Sequence, residues 1–110
     1  MYIAERFDNI GRRLTTASKT IAGNAAEALE FEGEEQERLG VILHNHSTEL
    51  KVYLKLSKLD SGETVSATDK DLVVSSEDTI VIRAGKSVRL WAVNSSGDAT
   101  TSQIEAVEVR

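Results

Sequence analysis

The two histidines of the chain lie close together, at His44 and His46, with Asn45 between them. The order His-Asn-His occurs in nucleases, but those enzymes spread the three residues over a hairpin and a helix, whereas here they are consecutive. Because residues two apart share one face of a strand, the imidazoles of several subunits could together bind a transition metal. The simpler interpretation is two solvated histidines in a turn, and we predict no metal site.

Other residues that could do chemistry form no recognisable catalytic pattern. The chain has no cysteine, which excludes thiol nucleophiles and Cys-based zinc sites. No serine lies in a nucleophile-elbow pattern, and the glycines are scattered singly rather than grouped in a phosphate-binding loop. Asp69 and Asp71 have the spacing that begins a calcium loop, but Val73 and Ser75 do not continue the ligand series. We therefore predict a protein that is not an enzyme and has no cofactor.

The single tryptophan, Trp91, is the best candidate for contact with a ligand. Carbohydrate-binding modules use exposed aromatic rings as platforms for sugars, although a tryptophan more often serves in a core or an interface. Arg89 precedes it by two residues on the same predicted strand. If the chain binds a ligand, we expect Trp91 and Arg89 to take part, together with the loops at 57–71 and 94–101.

The charge of the chain excludes two classes of partner. The sequence has 110 residues, with 13 Lys and Arg against 18 Asp and Glu, which gives a net charge of -5. An acidic surface repels phosphate backbones and anionic lipid, so we predict no nucleic-acid partner and no membrane partner. No apolar run approaches the roughly 18 residues of a spanning helix. The N-terminus also lacks a secretory pattern, so we expect the mature protein to begin at Met1.

Apolar residues in the first part of the chain recur at alternating spacings of four and three, which is the heptad pattern of a helix with a narrow seam. The seam consists of Ile3, Phe7, Ile10, Leu14, Ala17 and Ile21. We predict an α-helical arm that uses these residues for oligomerisation. A helix lying on its own domain satisfies the same pattern, and so short a run fixes neither register nor copy number.

After the arm the pattern changes from helical to alternating. Residues 27–37 are rich in Glu and are expected to form a solvated acidic connector or an edge strand. From Arg38 onward, short alternating runs such as residues 50–56 are separated by turn signals at intervals of about 8 to 12 residues. The fold class that this predicts is mainly β, a small antiparallel β-sandwich or barrel at 38–110, preceded by the helical arm and connector at 1–37.

Three stretches of the β region share a layout with a known class of proteins. They are GVILHNHSTELKVYLKL at 40–56, IVIRAGKSVRLWAVNSSG at 80–97 and IEAVEV at 104–109. The matching positions are Asn45, Val52, Tyr53, Leu54, Ala84, Gly85, Ser87, Val88, Trp91, Ala92, Val93, Ser96, Gly97, Val107 and Val109. In this layout, which covers about two thirds of the chain, the sequence resembles small virion structural proteins of tailed bacteriophages.

The resemblance implies a non-enzymatic subunit of head-decoration, head-fibre, neck or tail-associated type, often trimeric. We therefore expect a virion protein that is made in the host bacterial cytoplasm. It is expected to form a homo-oligomer, with a trimer favoured, and to bind other virion proteins such as major capsid or neck proteins. The alternative is a carbohydrate- or receptor-binding β-sandwich module with Trp91 at its site.

Overall fold

The computed structural model describes residues 14–29, 38–57, 64–85 and 87–109, and all regular structure in these ranges is β. The eight strands are β1 (Leu14–Ala22), β2 (Glu27–Leu29), β3 (Gly40–Asn45), β4 (Val52–Ser57), β5 (Leu72–Val74), β6 (Thr79–Ile82), β7 (Arg89–Asn94) and β8 (Thr101–Val109). The prediction that the chain is mainly β is thus confirmed.

The strands form two four-stranded antiparallel sheets. The first sheet has the order β1-β8-β3-β6 and the second has the order β2-β7-β4-β5. Every connection passes from one sheet to the other except the one between β4 and β5. Eight antiparallel strands wound in this order are the topology of the jelly roll, which consists of two interlocked Greek keys.

The core lies between the two sheets, because alternate residues of each strand point inward. The first sheet contributes Leu43 and Ile104, and the second contributes Leu54 and Leu90, all of them at most 1% exposed. One apolar cluster therefore joins the two sheets.

The predicted N-terminal helix is wrong for the residues from Leu14 onward, because Leu14 to Ala22 form strand β1. This strand pairs with β8 over nine residues, from Leu14 opposite Val109 to Ala22 opposite Thr101. Leu14 and Ala17 are therefore strand residues, and Ile21 is 1% exposed in the core instead of lying on a helical seam. Ile3, Phe7 and Ile10 lie outside the residues that the structure describes.

Two strands precede the boundary expected at residue 37. Strand β1 forms one edge of the first sheet, and β2, which begins the segment expected to be a connector or an edge strand, forms one edge of the second. Leu29 in β2 is 6% exposed and belongs to the core cluster. Residues 14–29 are thus part of the same β fold as residues 38–109.

Candidate functional site

The outer face of the second sheet carries two aromatic side chains. Leu54 and Leu90 point into the core, so alternation places Tyr53 on β4 and Trp91 on β7 on the opposite face. In the register of these strands Tyr53 pairs with Val93, and Trp91 pairs with Lys55. Tyr53 and Trp91 are therefore diagonal neighbours, a separation within reach of aromatic side chains. We call this surface the aromatic face.

Tyr53 extends the aromatic face beyond the residues that the sequence singled out as a site, and it contacts Lys70 of the predicted loop at 57–71. The Lys70 Nζ lies 5.5 Å from the centre of the Tyr53 ring, within the range of a cation–π interaction. Val73 pairs with Tyr53 on its other side and is 39% exposed. The signal in the sequence is the position of Tyr53 between Lys51 and Lys55, an aromatic residue where alternation predicts solvent.

Trp91 contributes apolar surface to this face. The residue is half-buried, and its indole Nε1 is buried with no hydrogen-bond partner in the part of the chain that the structure describes. A buried N–H without a partner costs about 1–3 kcal/mol of stability. Arg89, the other predicted ligand-binding residue, pairs with Ser57 and lies on the same face of β7 two positions away. The two predicted residues are thus brought to one surface.

Part of one predicted loop lies against the aromatic face. The turn at Ser66 to Asp69 is closed by two backbone hydrogen bonds between its end residues, and Asp69 forms an ion pair with Lys55 at 2.8 Å. Because Lys55 pairs with Trp91 in the sheet, this turn is tied to the strand beside the tryptophan. Residues 58–63 of the same loop lie outside the described ranges.

The other predicted loop, at 94–101, lies at the end of β7 and is organised around a buried asparagine. The amide nitrogen of Asn94 donates to the carbonyl oxygens of Ile21 at 3.1 Å and Thr100 at 2.9 Å, and its Oδ1 accepts from the backbone N–H of Ser96 at 3.1 Å. Hydrogen bonds from the Thr100 side chain and backbone, and then from the Ser96 hydroxyl, lower the pKa of Asp98 from its ordinary value of 3.8. The loop is thus a rigid corner.

The connection from β3 to β4 repeats this arrangement. Asn45 is fully buried at the end of β3, where its amide nitrogen donates to the Leu50 carbonyl at 2.8 Å and its Oδ1 accepts from Ser47 N–H at 3.1 Å. The two corners touch, since the backbone N–H of Ser95 donates to the Lys51 carbonyl at 2.9 Å. Both therefore lie at the same end of the molecule.

A polar groove of about 350 Å³ lies beside the β3–β4 corner. It is lined by His46, Ser47, Thr48, Thr101, Ser102 and Gln103. Hydroxyl, amide and imidazole groups of this kind can form hydrogen bonds with a polar ligand, and among the described residues the histidine is the only acidic or basic one that lines the groove. The groove thus offers hydrogen-bonding groups rather than a charged pocket.

The two histidines lie next to this groove. His44 belongs to β3, and its Nδ1 forms a hydrogen bond with the Thr79 hydroxyl at 2.7 Å, so only His46 is a turn residue. The two rings contact each other edge to face, with centres 4.6 Å apart. Among the described residues no three His, Cys, Asp or Glu side chains are placed to hold a metal ion.

Comparisons with known proteins return no relative for this chain. No family model, no curated protein and no solved structure matches it. The described ranges contain no helix long and apolar enough to cross a membrane.

Proposed function

We propose that this chain is a non-enzymatic bacteriophage virion structural protein, a capsid-decoration, head-fibre or neck- or tail-associated subunit. The observation that carries the proposal is the strand order β1-β8-β3-β6 and β2-β7-β4-β5. The jelly roll with this order is an architecture of viral capsid domains, and also of lectins and cupins. The layout of residues 40–56, 80–97 and 104–109, which resembles small phage virion proteins, favours the first of these.

The subunit would act by assembly. Because both sheets pack on one core, the fold presents its loops and edge strands at fixed positions. Contacts between subunits that are weak one by one can give a stable assembly when symmetry repeats them. The proposed partners are further copies of the chain, with a trimer favoured, and other virion proteins such as the major capsid or neck proteins. The protein would therefore be located in the virion.

We limit the residues proposed for oligomerisation to those that lie before strand β1. Ile3, Phe7 and Ile10 keep that role in the proposal, since they lie outside the described residues. Leu14, Ala17 and Ile21 lose it because they belong to β1. A substitution in β1 would disturb the sandwich itself and so could not test assembly.

The solution mass of the full chain tests the proposal. We expect light scattering across a concentration series to give an oligomer, and Ile10→Asp to lower the mass while the β circular dichroism is retained. Asn24→Ala, an exposed change on the β1–β2 connection, serves as the control variant. A full chain that stays monomeric throughout the series would overturn the assembly role.

A carbohydrate- or receptor-binding module is the second candidate, and the aromatic face favours it. Trp91 and Tyr53 are neighbours on the outer face of the second sheet, where both are half-buried, and a separate groove beside the β3–β4 corner offers hydrogen-bonding groups. Since Trp91 is the sole tryptophan, its fluorescence reports on this face alone. Quenching by members of a glycan panel that is weakened in Tyr53→Ala would support binding, and no response across the panel would count against it.

A further inference from the structure

Strand β5 is an exposed edge. It spans Leu72 to Val74, pairs with β4 through Tyr53 opposite Val73, and is the last strand of the second sheet in the part of the chain that the structure describes. An edge strand presents a row of main-chain donors and acceptors that can pair with another strand. Natural proteins protect such edges by keeping them very short or by placing Lys or Pro on them; β5 is short, at three residues, and contains neither Lys nor Pro.

The side chains on this edge are apolar and accessible. Among the described residues the large hydrophobic side chains with the greatest exposure are Leu39, Leu72 and Val73, at 36%, 36% and 39%. Two of these three are consecutive in β5, and they point to opposite faces of the sheet. A strand added beside β5 would therefore cover apolar surface on both faces as well as the open main chain.

The sequence of the edge is complementary to itself. In an antiparallel pair of β5 strands related by a twofold axis at Val73, each Val73 lies opposite its own copy and Leu72 lies opposite Val74. The next pair places Asp71 opposite Ser75, so no two like charges face each other from 71 to 75. Like charges directly opposite each other destabilise a sheet, and this register avoids them.

We propose that β5 is an interface with a second copy of this chain, in which two second sheets join edge to edge about a twofold axis. This inference rests on the proposed assembly role, and the twofold contact that it names is distinct from the contacts within the favoured trimer, because a ring of three subunits contains no twofold contact. A twofold contact of this kind uses the same patch on both subunits and closes on itself. Three residues on each side form a small interface, so the pair is expected to be weak and to depend on concentration.

Disulfide trapping tests the contact directly, because the chain contains no cysteine of its own. In Val73→Cys the two introduced thiols face each other across the axis, at a separation that an antiparallel sheet makes suitable for a disulfide. Under mild oxidation we expect a species of twice the 12.0 kDa chain mass, and its loss on reduction. Ala99→Cys, at an exposed position in the β7–β8 connection, is the matched control and is expected to stay at single mass.

A second variant removes the contact. In Val73→Lys the lysines of the two copies would face each other across the axis and repel. We expect the solution mass of this variant to increase less with protein concentration than that of the parent chain, while its circular dichroism is unchanged. A rise of mass that persists unchanged in this variant would contradict the β5 interface.

The outcomes separate this interface from the assembly role on which it rests. Equal cross-linking of the Val73→Cys and Ala99→Cys variants, or no cross-linking of Val73→Cys, overturns the β5 interface. If Val73→Cys stays at single mass while light scattering still shows an Ile10-dependent oligomer, the interface fails and the assembly role stands. If the full chain is monomeric at all concentrations and Val73→Cys stays at single mass, both fail.

Discussion

At the scale of single residues, the two buried asparagines hold the connections of the sandwich. Asn45 and Asn94 are at most 1% exposed, and each satisfies main-chain groups that a corner between two sheets leaves without a ladder partner. In both, the residue two positions on is a serine whose N–H donates to the asparagine Oδ1. The repeated Asn-x-Ser sequence therefore stabilises both corners. The polar asparagine side chains can be buried there because their amide groups form hydrogen bonds.

The Asn94 network predicts a large loss of stability on truncation. We expect Asn94→Ala to lower the free energy of unfolding by about 3 kcal/mol, since each buried partner left unsatisfied costs roughly 1–3 kcal/mol. The partners are the carbonyls of Ile21 and Thr100. Urea denaturation measures the change, with the exposed Asn24→Ala as control, which should stay within about 0.5 kcal/mol of the parent. Equal losses in the two variants would show that the corner network does not stabilise the fold.

At the scale of elements, β1 shows where sequence reasoning failed and why. The spacing of Leu14, Ala17 and Ile21 satisfies a heptad pattern, but all three residues also lie within one strand, Leu14–Ala22. The β-branched residues Thr15, Thr16 and Thr20 have low helix propensity and favour strands. A nine-residue ladder with β8 then decides the outcome, and no local pattern reveals such a distant partner.

The β6–β7 connection is held by a buried ion pair that alternation does not predict. Val107 and Val109 flank Glu108, yet Glu108 is 1% exposed on the core side of β8. Its partner is Arg38, whose side chain is 5% exposed and whose Nη1 lies 3.5 Å from Glu108 Oε2. The same guanidinium donates to the carbonyls of Ala84 at 2.9 Å and Gly85 at 2.6 Å. The arginine thus fixes that connection against the ends of β3 and β8.

A double-mutant cycle tests this pair. We expect Glu108→Leu alone to lower the free energy of unfolding by about 3 kcal/mol, because it removes one charge of a buried ion pair. Arg38→Met should cost more, since it also frees the carbonyls on the β6–β7 connection. The double variant should cost less than the sum of the two, because an apolar pair has no charge to compensate. Denaturant titrations give all three values, and strict additivity would contradict a direct interaction.

Lys19→Met provides the matched comparison for that cycle. The Lys19–Glu27 pair is 3.9 Å apart and is 33% and 51% exposed. An exposed pair of this kind contributes about 0–1 kcal/mol. A loss equal to that of Arg38→Met would mean that burial does not set the strength of the Arg38 pair.

At the scale of the whole molecule, the sequence predicted the class of fold and several of its strands, but not how they are ordered. Alternation predicted β4 and β7 and the turn after Asn94, and it placed Trp91 and Arg89 on one face, as the structure does. The jelly-roll order depends on pairs such as β1 with β8, which are distant in sequence. Alternation indicates that Tyr53 lies on the outer face, but its place beside Trp91 follows from its register with Val93, which a single sequence does not contain.

The interlocked order also predicts that the β region from residue 38 onward does not fold by itself. A chain shortened to 38–110 loses β1 and β2, which removes Ile21 and Leu29 from the core and makes β8 and β7 the edges of their sheets. We expect it to lack the cooperative unfolding of a chain shortened to 14–110, which keeps all eight strands. Circular dichroism during urea denaturation distinguishes the two. If both shortened chains unfold cooperatively with equal midpoints, residues 38–110 fold independently. A domain boundary at residue 37 would then hold, and β1 and β2 would not be needed for the core.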